Sequence, residues 1–328
     1  MDRRKFFFNS SSLVALGGLP LRAARSQAQP FPSKPLRIVV PYAAGGTSDI
    51  LARTLAVRVG DSIGQQVIIE NKPGANGVLG SDLVAKSAAD GYMMLLTDVG
   101  GLTSAPAVVA NLPFNPLRDF APVTMIAYSP HLVLVPMSLP VKTLAELVAL
   151  AKSKPGALNV AMVGSGSAPH LAAALFAKRA GLQWSYVPYK GGAQALNDVA
   201  SGQPEALFNG MLAALPLVKS GRLRALAISS EKRWPTLPDL PTVSEQGYDG
   251  FLTGSWQGLL AAPGTPPEII AKLNAEFIKA LAVPEVSERL TAQGAEPRPM
   301  KPEQFAQFMQ TESAKWAQVV KDAGIKAE

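Results

Sequence analysis

The 328 residues are 48% hydrophobic and 17% charged, with 28 Gly and 28 Pro, which excludes a disordered or fibrous chain and fits an ordered protein with many tight turns. That length is comfortable for two domains, each burying its own core. The net charge of +7 comes without any basic run of the type that grips nucleic acid, so no nucleic-acid partner is expected.

The N-terminal segment reads as an export signal. Arg3-Arg4-Lys5 precedes Phe6-Phe7-Phe8 and a weakly apolar stretch through Leu13, Val14, Leu16, Leu19 and Leu21, and Ser26-Gln27-Ala28 sets small residues before a cleavage point after Ala28. The paired arginines resemble a twin-arginine signal. Asn9-Ser10-Ser11-Ser12 interrupts the apolar core, leaving it shorter than the roughly 20 residues a membrane span needs. A cleaved, periplasmic protein with no direct membrane insertion is therefore expected. Residues 31–328 hold 26 Lys/Arg against 23 Asp/Glu, so much of the basic excess belongs to the signal.

From Leu36 onward short apolar runs alternate with helix-like segments. Leu36–Pro41, Val67–Glu70 and Met93–Thr97 read as strands, separated by helical spacing in Ser48–Gly60 and in 77–88. This β-α-β-α-β rhythm implies parallel strands with right-handed crossovers. The rhythm restarts with strand Leu132–Val135 and a helix over Thr143–Ser153, opened by the capping box Thr143-Leu-Ala-Glu146. Strands at 158–162, 184–187, 206–208 and 223–228 follow, with helices at 169–180, 193–200 and 212–220 between them. A Pro-rich stretch runs from Glu231 to Gly250. Phe251–Ala261 then reads as a strand leaving the second unit, and three amphipathic helices follow at 267–281, 284–293 and 302–323.

Two α/β units joined by extended crossings near 123–135 and 251–261 suggest two lobes closing over a cleft. The expected division is a signal over 1–28, one lobe over 31–128 with 251–328, and the other over 129–250. In such units ligands bind at the carboxyl ends of strands, where helix N-termini present free N–H groups. Pro41 to Asp49, with Gly45-Gly46 before Thr47 and Ser48, fits that position in one lobe, and Gly164 to His170 fits it in the other, with Ser167 as N-cap and Pro169 in the first turn. Each loop is equally readable as an ordinary turn, and His170 either touches a ligand or only pins its loop.

Enzyme motifs are absent. Gly164-x-Gly166 lacks the third glycine of a dinucleotide fingerprint, because Pro169 stands there; no phosphate loop exists; and Gly254-Ser255-Trp256-Gln257-Gly258 has its serine one place early for a nucleophile elbow. With no cysteine and only His131 and His170, neither a disulfide, a lipid anchor nor a His-rich metal site is expected, and no cofactor is implied.

The chain resembles the substrate-binding receptors of tripartite tricarboxylate transporters, the Bug-type receptors. The resemblance rests on PYAAGGTSDILAR (41–53), ENKPGANGVLGSDLVAKSAADGYMML (70–95), FNPLRDFAPV (114–123), LAELVALAKSKPGALNVAMVGSGSAPHLAA (144–173), VPYKGGAQALNDVASGQPEALF (187–208), LPDLPTVSEQG (237–247) and WQGLLAAPGTP (256–266). It implies a two-lobed α/β periplasmic binding protein of Venus-flytrap type II, monomeric, with two hinge-crossing strands. Such a protein captures a small carboxylate and delivers it to integral membrane transporter subunits; the alternative is a sensor presenting its ligand to a membrane kinase. Carried over by position, Tyr42, Gly46, Thr47, Ser48 and Asp49 form one side of the clasp and Gly164, Ser165, Gly166, Ser167 and His170 the other. Asp49, odd beside an anion, braces the loop or accepts a ligand or water proton, unless it is merely a helix-start charge. Two departures stand out: Leu102–Pro106 where an Asn-Pro pair is common in the loop after the third strand, and Asn209-Gly210 where many members carry an acid. Asn209 argues against an amino-acid ligand and for a di- or tricarboxylate or an aromatic carboxylate.

Overall fold

Strands β1 (Leu36–Val40), β2 (Val67–Asn71) and β3 (Met93–Asp98) pair in parallel with β1 in the middle. Helix α1 (Thr47–Ile63) makes the first crossover, burying Leu51, Ala52, Leu55 and Val59 on the face turned to the sheet, and stops at Gly64 in the left-handed conformation. Helix α2 (Val78–Ala85) makes the second. The structure, a computed structural model, describes residues 31–325; the expected signal over 1–28 lies outside them.

Helix α3 (Val99–Val108) follows β3 directly, where sequence reasoning expects a loop. Two glycines and Pro106 give this segment poor intrinsic helix propensity. It is helical because Asp98 caps it, accepting the Gly101 N–H at 2.9 Å, and because tertiary packing covers it.

The expected crossing strand is longer than the apolar run suggested. Strand β4 spans Ala121–Pro136 without a break. The remaining elements are α4 (Leu144–Ser153), β5 (Asn159–Val163), α5 (Ala168–Ala180), β6 (Ser185–Tyr189), α6 (Gly192–Ala200), β7 (Ala206–Gly210), α7 (Met211–Lys219), β8 (Leu223–Ile228), β9 (Gly254–Ala261), α8 (Pro267–Ala282), α9 (Pro284–Ala292), β10 (Glu296–Pro297) and α10 (Pro302–Ala323). The predicted capping box opens α4, both Thr143 and Glu146 bonds being made. Strand β9 starts at Gly254 rather than Phe251.

The sheet has two halves built alike. In the first the order is β2-β1-β3-β9-β4, with β9 antiparallel to both neighbours. In the second it is β6-β5-β7-β4-β8, with β4 antiparallel to both neighbours. Ala121–Pro130 of β4 pair with β9, and His131–Pro136 pair with β7 and β8, so one strand belongs to both halves. Separate apolar cores lie on each half. Leu212 of α7 packs into the core of the first half, and a small cluster also joins the halves: Val108 of α3 and Trp316 and Val320 of α10 pack on Leu171 of α5.

Candidate functional site

Five helices begin where a strand ends and point those beginnings into one cleft. The β1–α1 loop supplies Tyr42, Ala43, Gly46, Thr47, Ser48 and Asp49; Asp98 stands at the start of α3, Ser167 and Pro169 at the start of α5, Gly192 at that of α6, and Asn209 and Gly210 at that of α7. Val163 ends β5, and Ser255 and Gln257 reach in from β9. A cavity of about 50 Å3 remains between the halves, room for a few waters or a small anion.

The helix starts are not equivalent. Ser167 caps α5, its hydroxyl accepting the His170 N–H, and Asp98 caps α3. By contrast α1, α6 and α7 have Gly46, Gly191 and Gly210 at the cap position, which have no side chain to cap with; in α7 the Leu212 N–H donates instead to the Ser129 hydroxyl at 3.1 Å. The first-turn N–H groups of α1 and α6, and the dipole ends of all three helices, are left for whatever occupies the cleft. No Lys, Arg or His is among the described residues lining it.

Contacts across the cleft hold the halves together. The Ser104 hydroxyl donates to the Gly166 carbonyl at 2.5 Å. Glycine at 191 and 210 permits the approach: a Cβ on Gly191 would stand 2.8 Å from the Ala43 Cβ, and one on Gly210 would stand 2.8 Å from the Thr47 Oγ1.

Of the expected residues, Tyr42, Gly46, Thr47, Ser48, Asp49, Ser167 and Asn209 meet at this cleft. Gly164, Ser165, Gly166 and His170 do not line it. Gly164 and Gly166 abut Asn76 and Val108 of the first half, while Ser165 and His170 line a separate surface hollow with Trp184 and Tyr186. His170 is tied to its own loop: Nδ1 accepts the Gly166 N–H at 2.9 Å, and the ring sits edge-on to Tyr186 at 4.8 Å. Burial pushes its pKa down to about 4, so it is neutral, as an accepting Nδ1 requires.

Asp49 braces its loop. One oxygen accepts the Gly45 N–H at 2.9 Å, and the Arg53 guanidinium donates to both. Burial works against the charge, but the bonds from Arg53, the Gly45 N–H and Asn71 outweigh it and hold the carboxyl below its usual range.

Sequence reasoning placed Ala43 and Pro169 only within their loops and missed Asp98, Val163, Gly192, Gly210, Ser255 and Gln257 as lining residues. Gly191-Gly192 repeats the paired glycines of the first loop and could have flagged α6. Asp98 followed by Gly101 is an N-cap spacing that could have flagged α3. Ser255 and Gln257 carry no local signal; they are alternate residues of a strand, and only its placement turns that face to the cleft. Asn209 lines the cleft where many members are expected to carry an acid, and Asp98 lines it as well. Burial raises the Asp98 pKa to about 6, against the bonds it receives from the Gly101 N–H, Ser255 and the Gly100 N–H and with a further push from Glu312. Burial, then the nearby Asp98, raise the Tyr42 hydroxyl well above its usual range, so it remains a protonated donor.

This fold, two halves of one sheet closing on a cleft of helix starts, is that of periplasmic solute-binding proteins. Residues 51–325 match the model of the tripartite tricarboxylate transporter family receptor, and the chain belongs to that family. It is 38% identical to protein BugT of Bordetella pertussis over 97% of this chain and 99% of the relative. It superposes on the structure of periplasmic binding protein BugD with TM-score 0.87 at 34% identity, covering 91% of this chain and 100% of that one. Rpa4515 of R. palustris, solved with adipate, gives TM-score 0.88 at 36% identity over 91% and 100% of the two chains; MatC of Rhodopseudomonas palustris, solved with malate, gives 0.85 at 36% over 88% and 100%. Among the described residues no helix is long and apolar enough to cross a membrane, and no group of three or more His, Cys, Asp or Glu could hold a metal.

Proposed function

We propose that this chain is an exported periplasmic receptor that holds a small carboxylate between two lobes and hands it to the membrane subunits of a tripartite tricarboxylate-type transporter. The observation that carries the reading is the convergence of the helix starts of α1, α6 and α7, the first two without any side-chain cap, on one cleft without a cationic side chain. Backbone N–H groups at helix N-termini bind carboxylates without a counter-charge. The adipate and malate in two related structures are both carboxylates. The lobes are the two sheet halves, dividing near 129 in β4 and near 251 before β9, and Tyr42, Gly46, Thr47, Ser48, Ser167 and Asn209 line the clasp.

Thermal unfolding of the chain from Gln29 onward, against small carboxylates and their amides, tests the reading. A ligand bound only by the folded form contributes about 3 kcal/mol at a hundred times its Kd, so a carboxylate should raise the midpoint and its amide should not. Shifts by sugars or cationic amines instead would refute the carboxylate assignment. Co-purification with the membrane subunits, strengthened by that carboxylate, tests delivery.

A further inference from the structure

Ser165 and His170 line no part of the cleft; they line a hollow of about 910 Å3 in the second half. Small-molecule sites occupy roughly 300–1,000 Å3. Strand β5 divides the two spaces, with Met162 on the hollow and its neighbour Val163 on the cleft, since adjacent residues of a strand point to opposite faces. Helix α5 lines the hollow with Ala174, Ala177 and Lys178, and β6 lines it with Tyr186 and Pro188.

Three groups in this lining have a hydrogen to give and no acceptor among the described residues. His170 is 5% exposed, and its Nδ1 accepts the Gly166 N–H, so the proton of the neutral ring sits on Nε2. The Tyr186 hydroxyl accepts the Trp184 indole N–H at 3.0 Å, which leaves its own proton to donate; burial raises its pKa, so it keeps that proton. The Ser165 hydroxyl, on a residue 7% exposed, is the third. None of the three is sealed from solvent, so a ligand entering the hollow can reach them.

Charge narrows what that ligand is. Lys178 makes no ion pair among the described residues, and no Asp or Glu is among those lining the hollow, so the space favours an anion. Hydrogen bonds to an ionised acceptor are about twice as strong as neutral ones. Much of the remaining lining is apolar: Met162, Leu182, Trp184, Pro188 and Ile325. The cleft is the reverse, with no cationic side chain and with Asp98 in its wall.

We propose that this hollow is a second binding site, separate from the cleft, for an apolar molecule carrying one anionic head group. The head group meets His170 Nε2–H, the Ser165 and Tyr186 hydroxyls and the Lys178 ammonium, and the body lies along the apolar lining.

Octanoate and 2-naphthoate, a flexible and a flat body on the same carboxylate, are the probes, and their primary amides are the uncharged controls. The chain holds two histidines, so ring-nitrogen NMR of untagged, histidine-labelled protein reads each one. His170 lines the hollow, whereas His131 lies 3.2 Å from the hydroxyl of Ser255, a cleft residue. The expected result is a shift of the His170 Nε2 signal by at least one acid with His131 unmoved, and the tighter acid tells chain from ring. Its amide should bind at least about tenfold more weakly. Lys178→Glu, on the exposed surface, should weaken the acid at least about tenfold, and Ser165→Ala about fivefold, both with unfolding midpoints near that of the parent. No His170 shift with either acid would overturn the site, as would acid binding indifferent to both substitutions. A shift of His131 in place of His170 would put the anion in the cleft and overturn it too. Equal binding of acid and amide would overturn the anionic head group.

Discussion

Gly191 shows how a missing side chain serves the cleft. Its φ of −174° is open to any residue, so its constraint is room: an added Cβ would meet the Cβ of Ala43 at 2.8 Å and its backbone N at 3.4 Å, neither of which can swing away. Gly191→Ala should therefore prop the halves apart. Ligand affinity is expected to fall by at least about tenfold, near 1.4 kcal/mol, with the ligand-free unfolding midpoint almost unchanged. Unaltered affinity would mean the halves do not need this approach to bind. At this scale the sequence was partly legible. Paired glycines before Thr47 and the Ser167 cap mark helix starts through local chemistry, whereas Gly164, Ser165, Gly166 and His170 look equally functional in sequence and face away from the cavity. Which way a loop residue faces is settled by what packs beneath it, here Asn76, Val108 and Tyr186.

Among elements, those with strong local signals were readable and those made by their surroundings were not. The period of α1 and the capping box of α4 are properties of their own residues. Helix α3 is not: its Gly, Thr and Pro content hides it, and Asp98 together with the cover of α10 creates it. Helix α10 also reaches beyond its own half. Leu171 of α5 is fully buried, and its apolar neighbours Val108, Trp316 and Val320 all belong to the first half. Trimming a buried Leu to Ala costs roughly 2–5 kcal/mol where the packing is permanent. If Leu171 is covered only when the halves meet, that loss falls on closure instead. Leu171→Ala should weaken ligand binding by about tenfold or more and barely shift the ligand-free midpoint. A large midpoint drop with normal affinity would show that the contact persists in the open form.

At the scale of the molecule, three buried groups set how stability answers to acid. Burial pushes the His131 pKa down to about 3 and that of His170 down to about 4, against roughly 6.5 in an unfolded chain. Depressed histidines contribute stability that is whole above the unfolded value and drains as pH falls toward the folded ones. Asp98, raised to about 6, acts the other way: the folded form takes up its proton first and gains as pH drops from about 6 toward 4. The two histidines outweigh the one carboxyl by a single proton, so these groups should lower stability by about 1.4 kcal/mol per pH unit between roughly pH 6 and 4. Asp98→Asn removes the opposing proton and should about double that slope in urea unfolding. Identical slopes in the two proteins would place the titrating carboxyl elsewhere.

The shared strand has a consequence for how the chain acquires its shape. The second half is assembled from one contiguous stretch, β4 through β8, whereas the core of the first joins Leu36 and Ile38 to Phe277, Leu281 and Leu290. Its central strand β9 comes from beyond the whole of the second half. The first half thus cannot complete itself until its late residues exist and have been brought back. That homecoming is entropically long across a loose chain and short once the intervening residues have collapsed into a folded body. A chain emerging from its N-terminus would hold its first strands waiting, unpaired with their eventual centre, while the middle folds, and the last helices to appear would be those that finish the first domain begun.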